Sequence, residues 1–104
     1  MDGWRWHLVG AELRKRVEAD PLLAEVLARA LSGIEALLTD LGIPYRLEAR
    51  LTRSEEYLIR IRVAYRSKGE RDRIWDQAAE VLEQARAGRA VHILCGISRL
   101  PAEG

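Results

Sequence analysis

Five arginines alternate with mostly apolar residues along two neighbouring stretches of the chain, 45–51 and 57–66. In a β-strand successive side chains point to opposite faces, so this alternation predicts a hairpin with one buried face and one arginine-rich face. A guanidinium group matches the geometry of a phosphate, and each phosphate that is neutralised adds a salt-dependent contribution to affinity. The arginine-rich face therefore predicts a surface that binds nucleic acid. Its predicted residues are Arg46, Arg50, Arg60, Arg62 and Arg66.

The same face has a simpler explanation, which is a solvated sheet surface whose charges discourage edge-to-edge aggregation. Open sheet faces that bind single-stranded RNA usually stack bases on aromatic side chains. The hairpin tyrosines, Tyr45, Tyr57 and Tyr65, fall instead in the register of the buried face. The hairpin alone therefore offers arginines without an aromatic platform, and both explanations stay open.

Other residues that carry chemistry do not form a recognisable site. His92 and Cys95 have the spacing of some metal ligands, but in a strand they point to opposite faces. Glu48 stands among arginines that hold it ionised, which makes it a poor general acid near neutral pH. No glycine-rich phosphate loop and no hydrolase or metalloprotease motif occurs. We therefore predict no catalytic residue, no metal and no cofactor.

A helix over 21–41 is predicted by clear signals at both of its ends. Asp20 and Pro21 are typical of a helix start, and Gly42 followed by Pro44 is typical of a helix end. Its apolar face is wider than one sheet usually covers. One explanation is a core helix between the sheet and the N-terminal segment, and the other is a homodimer interface. The predicted interface residues are Leu22, Val26, Leu31 and Leu38.

The remaining pattern predicts a helix over about 70–87, with Trp75 on its buried side, and a last strand over 90–98. We expect an α+β fold, a small two-layer sandwich with helices packed on one face of a mainly antiparallel sheet. The preferred element order is α-α-β-β-α-β. The alternative is a ferredoxin-like β-α-β-β-α-β order, in which residues 4–9 form the first strand.

Length and composition predict a single domain over 1–104 with a frayed tail at 99–104. The sequence contains one cysteine, and it has neither an apolar run long enough to cross a bilayer nor a secretory signal. We therefore expect a cytoplasmic protein. Asn is absent and Met occurs once, as in many thermophile proteins. The leading hypothesis is a non-enzymatic domain that self-associates and acts through protein contacts, and the alternative is a nucleic-acid-binding module.

Overall fold

The computed structural model of the chain describes residues 3–89 and 91–100. A 3-10 helix at Gly3–His7 is followed by two α-helices, a hairpin, a third α-helix and a last strand. The α-helices are α1 (Ala11–Ala19), α2 (Pro21–Leu41) and α3 (Lys68–Arg86). The strands are β1 (Tyr45–Leu51), β2 (Tyr57–Val63) and β3 (Ile93–Arg99). This order confirms the prediction of an α+β fold with the sequence α-α-β-β-α-β.

The bounds of α2 follow from local chemistry at its two ends. The Asp20 carboxylate accepts hydrogen bonds from the backbone N–H groups of Leu22 and Leu23, at 3.1 and 3.2 Å, which satisfies two of the donors that a helix start leaves free. Gly42 ends the helix in the left-handed conformation, with φ of 69°. The helix therefore covers the range that was predicted. No helix in the described ranges is long and apolar enough to span a membrane.

The three strands form one mixed sheet in the order β1-β2-β3. β1 and β2 pair in antiparallel fashion, whereas β2 and β3 pair in parallel. The expectation of a mainly antiparallel sheet is thus wrong for the second pairing, because α3 carries the chain back to the same end of the sheet, as a parallel connection requires.

One side of the sheet is buried beneath the helices. Ile59, Ile61 and Val63 of β2 have no exposed surface, and Leu47 and Ala49 of β1 lie in the same core. No strand residue on the opposite side is buried. The predicted two-layer arrangement, with helices on one face, is therefore confirmed.

The N-terminal segment is neither a strand nor a continuous helix. After the 3-10 helix, Leu8 forms a single parallel bridge with Ala49, and the Val9 N–H donates to the Ala49 carbonyl at 2.9 Å. Gly10 then turns the chain into α1 with φ of 96°. The ferredoxin-like alternative, with a strand over 4–9, is therefore wrong, because most of that range is a 3-10 helix and only an isolated bridge at its end joins the sheet.

The last strand starts later and ends later than predicted. Arg99 belongs to β3, and the Leu100 N–H donates to the Val63 carbonyl at 2.9 Å. The first two residues of the predicted frayed tail are therefore held by the sheet. Ala90, the first residue of the predicted strand, and the rest of that tail, 101–104, lie outside the described residues.

Gly33 allows α2 and α3 to approach closely. A Cβ atom built on Gly33 would lie 2.6 Å from Cγ1 of Val81 on α3 and 3.9 Å from its Cβ. The first distance is far inside van der Waals contact, and the second is an ordinary contact. A side chain at position 33 would thus collide with one methyl group of the facing helix.

This contact predicts that the effect of Gly33→Ala changes sign with the residue at position 81. In the native chain, overpacking costs about 1–3 kcal/mol and outweighs the roughly 1 kcal/mol gain in helix propensity. In a Val81→Ala background the clash is absent, so the same substitution should raise the free energy of unfolding by up to about 1 kcal/mol. Urea denaturation of the four variants of this double-mutant cycle measures both values. Equal effects in the two backgrounds would contradict the proposed contact.

Candidate nucleic-acid interface

The side of the sheet that faces away from the helices carries most of the predicted arginines. The strand register places Arg46 opposite Arg62, Glu48 opposite Arg60, and Arg50 opposite Leu58. β3 adds three uncharged residues to these rows. We call this surface the open face. It consists of Arg46, Glu48, Arg50, Leu58, Arg60, Arg62, Leu94, Gly96 and Ser98.

Glu48 lies close to two arginines of the open face. Its carboxylate oxygens lie 3.3 Å from Nη2 of Arg50 and 3.8 Å from Nη2 of Arg62. The carboxylate offsets part of the repulsion between arginines that face each other across the strands. Four arginines and one glutamate leave the face with a net charge of +3. Because ion pairs between partly exposed groups contribute at most about 1 kcal/mol, a phosphate can replace this carboxylate as their partner.

Arg66, the fifth predicted residue, does not belong to the open face. β2 ends at Val63, so Arg66 lies past the last cross-strand pair. Its backbone N–H donates to the Glu70 carboxylate at 2.8 Å, which places it at the start of α3. The structure therefore brings Arg46, Arg50, Arg60 and Arg62 together, as predicted, and separates Arg66 from them.

An open cleft of about 480 Å³ lies at the β1 border of the open face. The N-terminal segment supplies one wall, and β1 and Arg62 supply the other. Its outstanding feature is Trp6, whose side chain is 87 % exposed. An indole is large and mostly apolar, and tryptophans are on average highly buried, so an exposure this high is unusual. The lining residues are Trp6, His7, Val9, Tyr45, Arg46, Leu47, Glu48 and Arg62.

His7 and the 3-10 helix fix the position of Trp6. Nδ1 of His7 donates to the Leu47 carbonyl at 3.0 Å, and Nε2 lies 3.3 Å from the Glu35 carboxylate. These contacts join the N-terminal segment to both β1 and α2. In a 3-10 helix two residues span two thirds of a turn, so Trp4 packs into the core while Trp6 points outward.

Trp6 was not predicted as part of this surface, because the alternation that predicts the open face lies on the hairpin alone. The hairpin tyrosines do lie in the register of the buried face, where each is partly buried. Tyr45 also lines the cleft, but the exposed aromatic side chain there, Trp6, comes from a segment 40 residues away along the chain. That segment reaches β1 through the hydrogen bond between His7 and Leu47. The only signal in the sequence was a second tryptophan beside a buried one, and its direction depends on the 3-10 conformation.

The other side chains that could carry chemistry do not form a catalytic or metal-binding arrangement within the described residues. Cys95 is partly buried, and burial raises the pKa of its thiol to about 11, so little of it is thiolate at neutral pH. His92 lines a second open cleft with Asp20 and Glu55. Asp20 already caps α2, and Glu55 accepts from Arg16 at 2.7 Å. In the part of the chain that is described, no three His, Cys, Asp or Glu side chains are arranged to hold a metal ion.

The predicted dimer interface on α2 is mostly core. Val26, Leu31 and Leu38 have no exposed surface in the single chain, so a partner could not contact them. The wide apolar face of α2 is covered by α1, α3, the 3-10 helix and the sheet. Among the four residues, only Leu22, which is 39 % exposed, is accessible to a partner.

Comparisons with known proteins identify no family for this chain. No protein-family model matches the chain, and searches of curated proteins and of solved structures find no significant match.

The contacts of His7 predict that this residue stabilises the fold and that its neighbour Trp6 does not. His7→Ala should lower the free energy of unfolding by about 1–2 kcal/mol, because it leaves a half-buried carbonyl and carboxylate without a partner. Trp6→Ala should change it by less than about 0.5 kcal/mol, since that side chain packs against little. Urea denaturation followed by circular dichroism measures both. A loss for Trp6→Ala as large as that for His7→Ala would show that the indole is part of the core.

Proposed function

We propose that this protein binds single-stranded nucleic acid on the open face of its sheet, and that it acts by binding rather than by catalysis. Arginines of the open face contact phosphates, and Trp6 stacks on a base. The observation that carries the proposal is the cleft, which is lined by Trp6, 87 % exposed, together with Arg46 and Arg62. Base and phosphate are the two parts of a nucleotide that an aromatic ring and an arginine recognise.

The distribution of charge supports this side of the molecule as the binding side. The segment 11–41, which contains α1 and α2, carries four basic and six acidic residues, a net charge of −2. The α3 segment, 68–86, carries four basic and five acidic residues, a net charge of −1. The open face carries +3. A polyanion is therefore attracted to the sheet side and repelled from the helical side, although the whole chain carries only +1.

The shape of the site favours a single strand over a duplex. Stacking on Trp6 requires a base whose face is free, and in a duplex both faces of each internal base are already stacked. The open face is about 10 Å wide across three strands and about 20 Å long along them. A flat surface of that size accommodates a few splayed nucleotides, as the sheets of other RNA-binding domains do.

The first test of this proposal removes two arginines from the middle of the open face. Arg60→Gln with Arg62→Gln should weaken binding of a short labelled single-stranded oligonucleotide, measured by fluorescence anisotropy across a salt series. Four phosphate contacts give a slope of log affinity against log salt of about −2.8 for single strands, and two give about −1.4. Gln is preferred to Glu because a glutamate at position 60 would face Glu48 across the strands.

The matched control is Lys15→Gln with Arg73→Gln. Both side chains are exposed on helices, and the pair lowers the net charge by the same two units. It should leave the slope unchanged. If both double variants weaken binding equally, the attraction is a property of total charge, and the open face is not the site. If neither weakens it, the arginines are solvated surface.

Trp6→Ala separates stacking from electrostatics. It should lower affinity at least about five-fold, which corresponds to the roughly 1–3 kcal/mol that stacking of one base contributes. The salt slope should stay the same, because no phosphate contact is lost. The same titrations measure both quantities. Unchanged affinity would remove Trp6 from the site, and a changed slope would show that the substitution disturbs the arginines.

A further inference from the structure

The outer edge of β3 has no partner within the described residues. β3 pairs with β2 on one side, and no backbone hydrogen bond from residues 3–89 or 91–100 reaches its other side. The opposite border of the sheet is different, because Leu8 and Val9 pair with Ala49 of β1. Within the described residues, the sheet therefore has one edge that is partly covered and one that is uncovered.

The groups that β3 presents at this edge follow from the ladder. The Leu100 N–H points inward, since it donates to Val63 on β2. Backbone groups alternate in direction along a strand, so the even-numbered residues of β3 bond to β2 and the odd-numbered residues point outward. The outward N–H and C=O groups belong to Ile93, Cys95, Ile97 and Arg99.

β3 also lacks the features that usually protect an edge strand. Natural edges carry lysine, proline, a bulge or inward-pointing charges, or they are very short. β3 is seven residues long, and its register against β2 is continuous. It contains no proline, and its first six residues are uncharged. Such an edge is a template for another strand.

We propose that β3 pairs in antiparallel fashion with β3 of a second copy, around a two-fold axis at Gly96, to form a six-stranded sheet. Odd-numbered residues must meet odd-numbered residues for their outward groups to bond. A two-fold axis at Gly96, the middle residue, satisfies this condition and matches all seven residues. Cys95 then exchanges hydrogen bonds with the partner's Ile97, and Ile93 with the partner's Arg99.

The strand is compatible with itself in charge and in size. Its single charged residue, Arg99, meets the partner's Ile93, and the two arginines stand about 20 Å apart. Gly96 occupies the two-fold axis, where a non-hydrogen-bonded pair brings the Cα atoms to about 4.5 Å. Like charges therefore do not oppose each other, and no side chain crowds the two-fold axis. This self-complementarity favours a second copy over an unrelated strand as the occupant.

The pairing would also extend the open face. An axis that relates two edge strands of a continuous sheet is perpendicular to that sheet, so both open faces lie on the same side. Six strands are about 24 Å wide, and this surface would hold the arginines of both copies. The dimer does not rest on the proposed function, because it follows from the β3 edge alone.

Disulfide crosslinking tests both the pairing and its register. In a Cys95→Ser background, Gly96→Cys should give a covalent dimer under mild oxidation, because the two Cα atoms lie within disulfide range. The new Cβ would lie 3.8 Å from Leu58 Cδ1, an ordinary contact that leaves the fold intact. The matched control is Ser98→Cys in the same background, on the same side of β3. Its two copies lie about 13 Å apart, beyond disulfide range.

Light scattering on the native chain completes the experiment. The proposal expects a mass twice the 11.8 kDa of the chain at micromolar concentration, together with crosslinking at position 96 and not at 98. A monomeric mass overturns it. A dimer without a crosslink at position 96 assigns the contact to another surface. Equal crosslinking at 96 and 98 reflects random collision, and it overturns the proposed register.

Discussion

The strict alternation of β2 between core and open face is the constraint on which the rest of the structure depends. Ile59, Ile61 and Val63 are fully buried, and that burial drives the sheet onto the helices. Because successive side chains point to opposite faces, the same register holds Arg60 and Arg62 on the solvent side. A slip of one residue would bury two guanidinium groups, so the core and the arginine surface are specified together.

The breadth of α2 is explained by its position in the middle of the helical layer. It contacts α1, α3 and the 3-10 helix as well as the sheet, so its apolar surface is used within the chain. Gly33 is part of this arrangement, because a side chain there would collide with Val81. The apolar face of α2 is wider than one sheet covers because the helix packs against four neighbours.

The elements with local signals could be predicted from the sequence, and the contacts between distant elements could not. Caps and alternation specify α2 and the hairpin, because Asp20, Gly42 and the hairpin register act within a few residues. The parallel pairing of β3 depends on where α3 returns the chain. The exposure of Trp6 and of Trp75 could not be predicted from the sequence for the same reason. Trp75, expected in the core, is 39 % exposed at the border of its helix's buried face, where periodicity does not decide.

Protection against aggregation explains at most the two arginines of the open face that lie on an edge strand. That explanation requires charges on the strand whose edge is exposed. Arg46 and Arg50 lie on β1, an edge strand that is only partly covered, whereas Arg60 and Arg62 lie on the central strand β2 and residues 93–98 of the other edge strand, β3, carry no charge. Solubility alone does not account for them either, since Arg46 faces Arg62 directly and such like-charged pairs destabilise a sheet. This concentration of positive charge beside an exposed indole is the feature on which the proposed binding of an anionic ligand with an aromatic group rests.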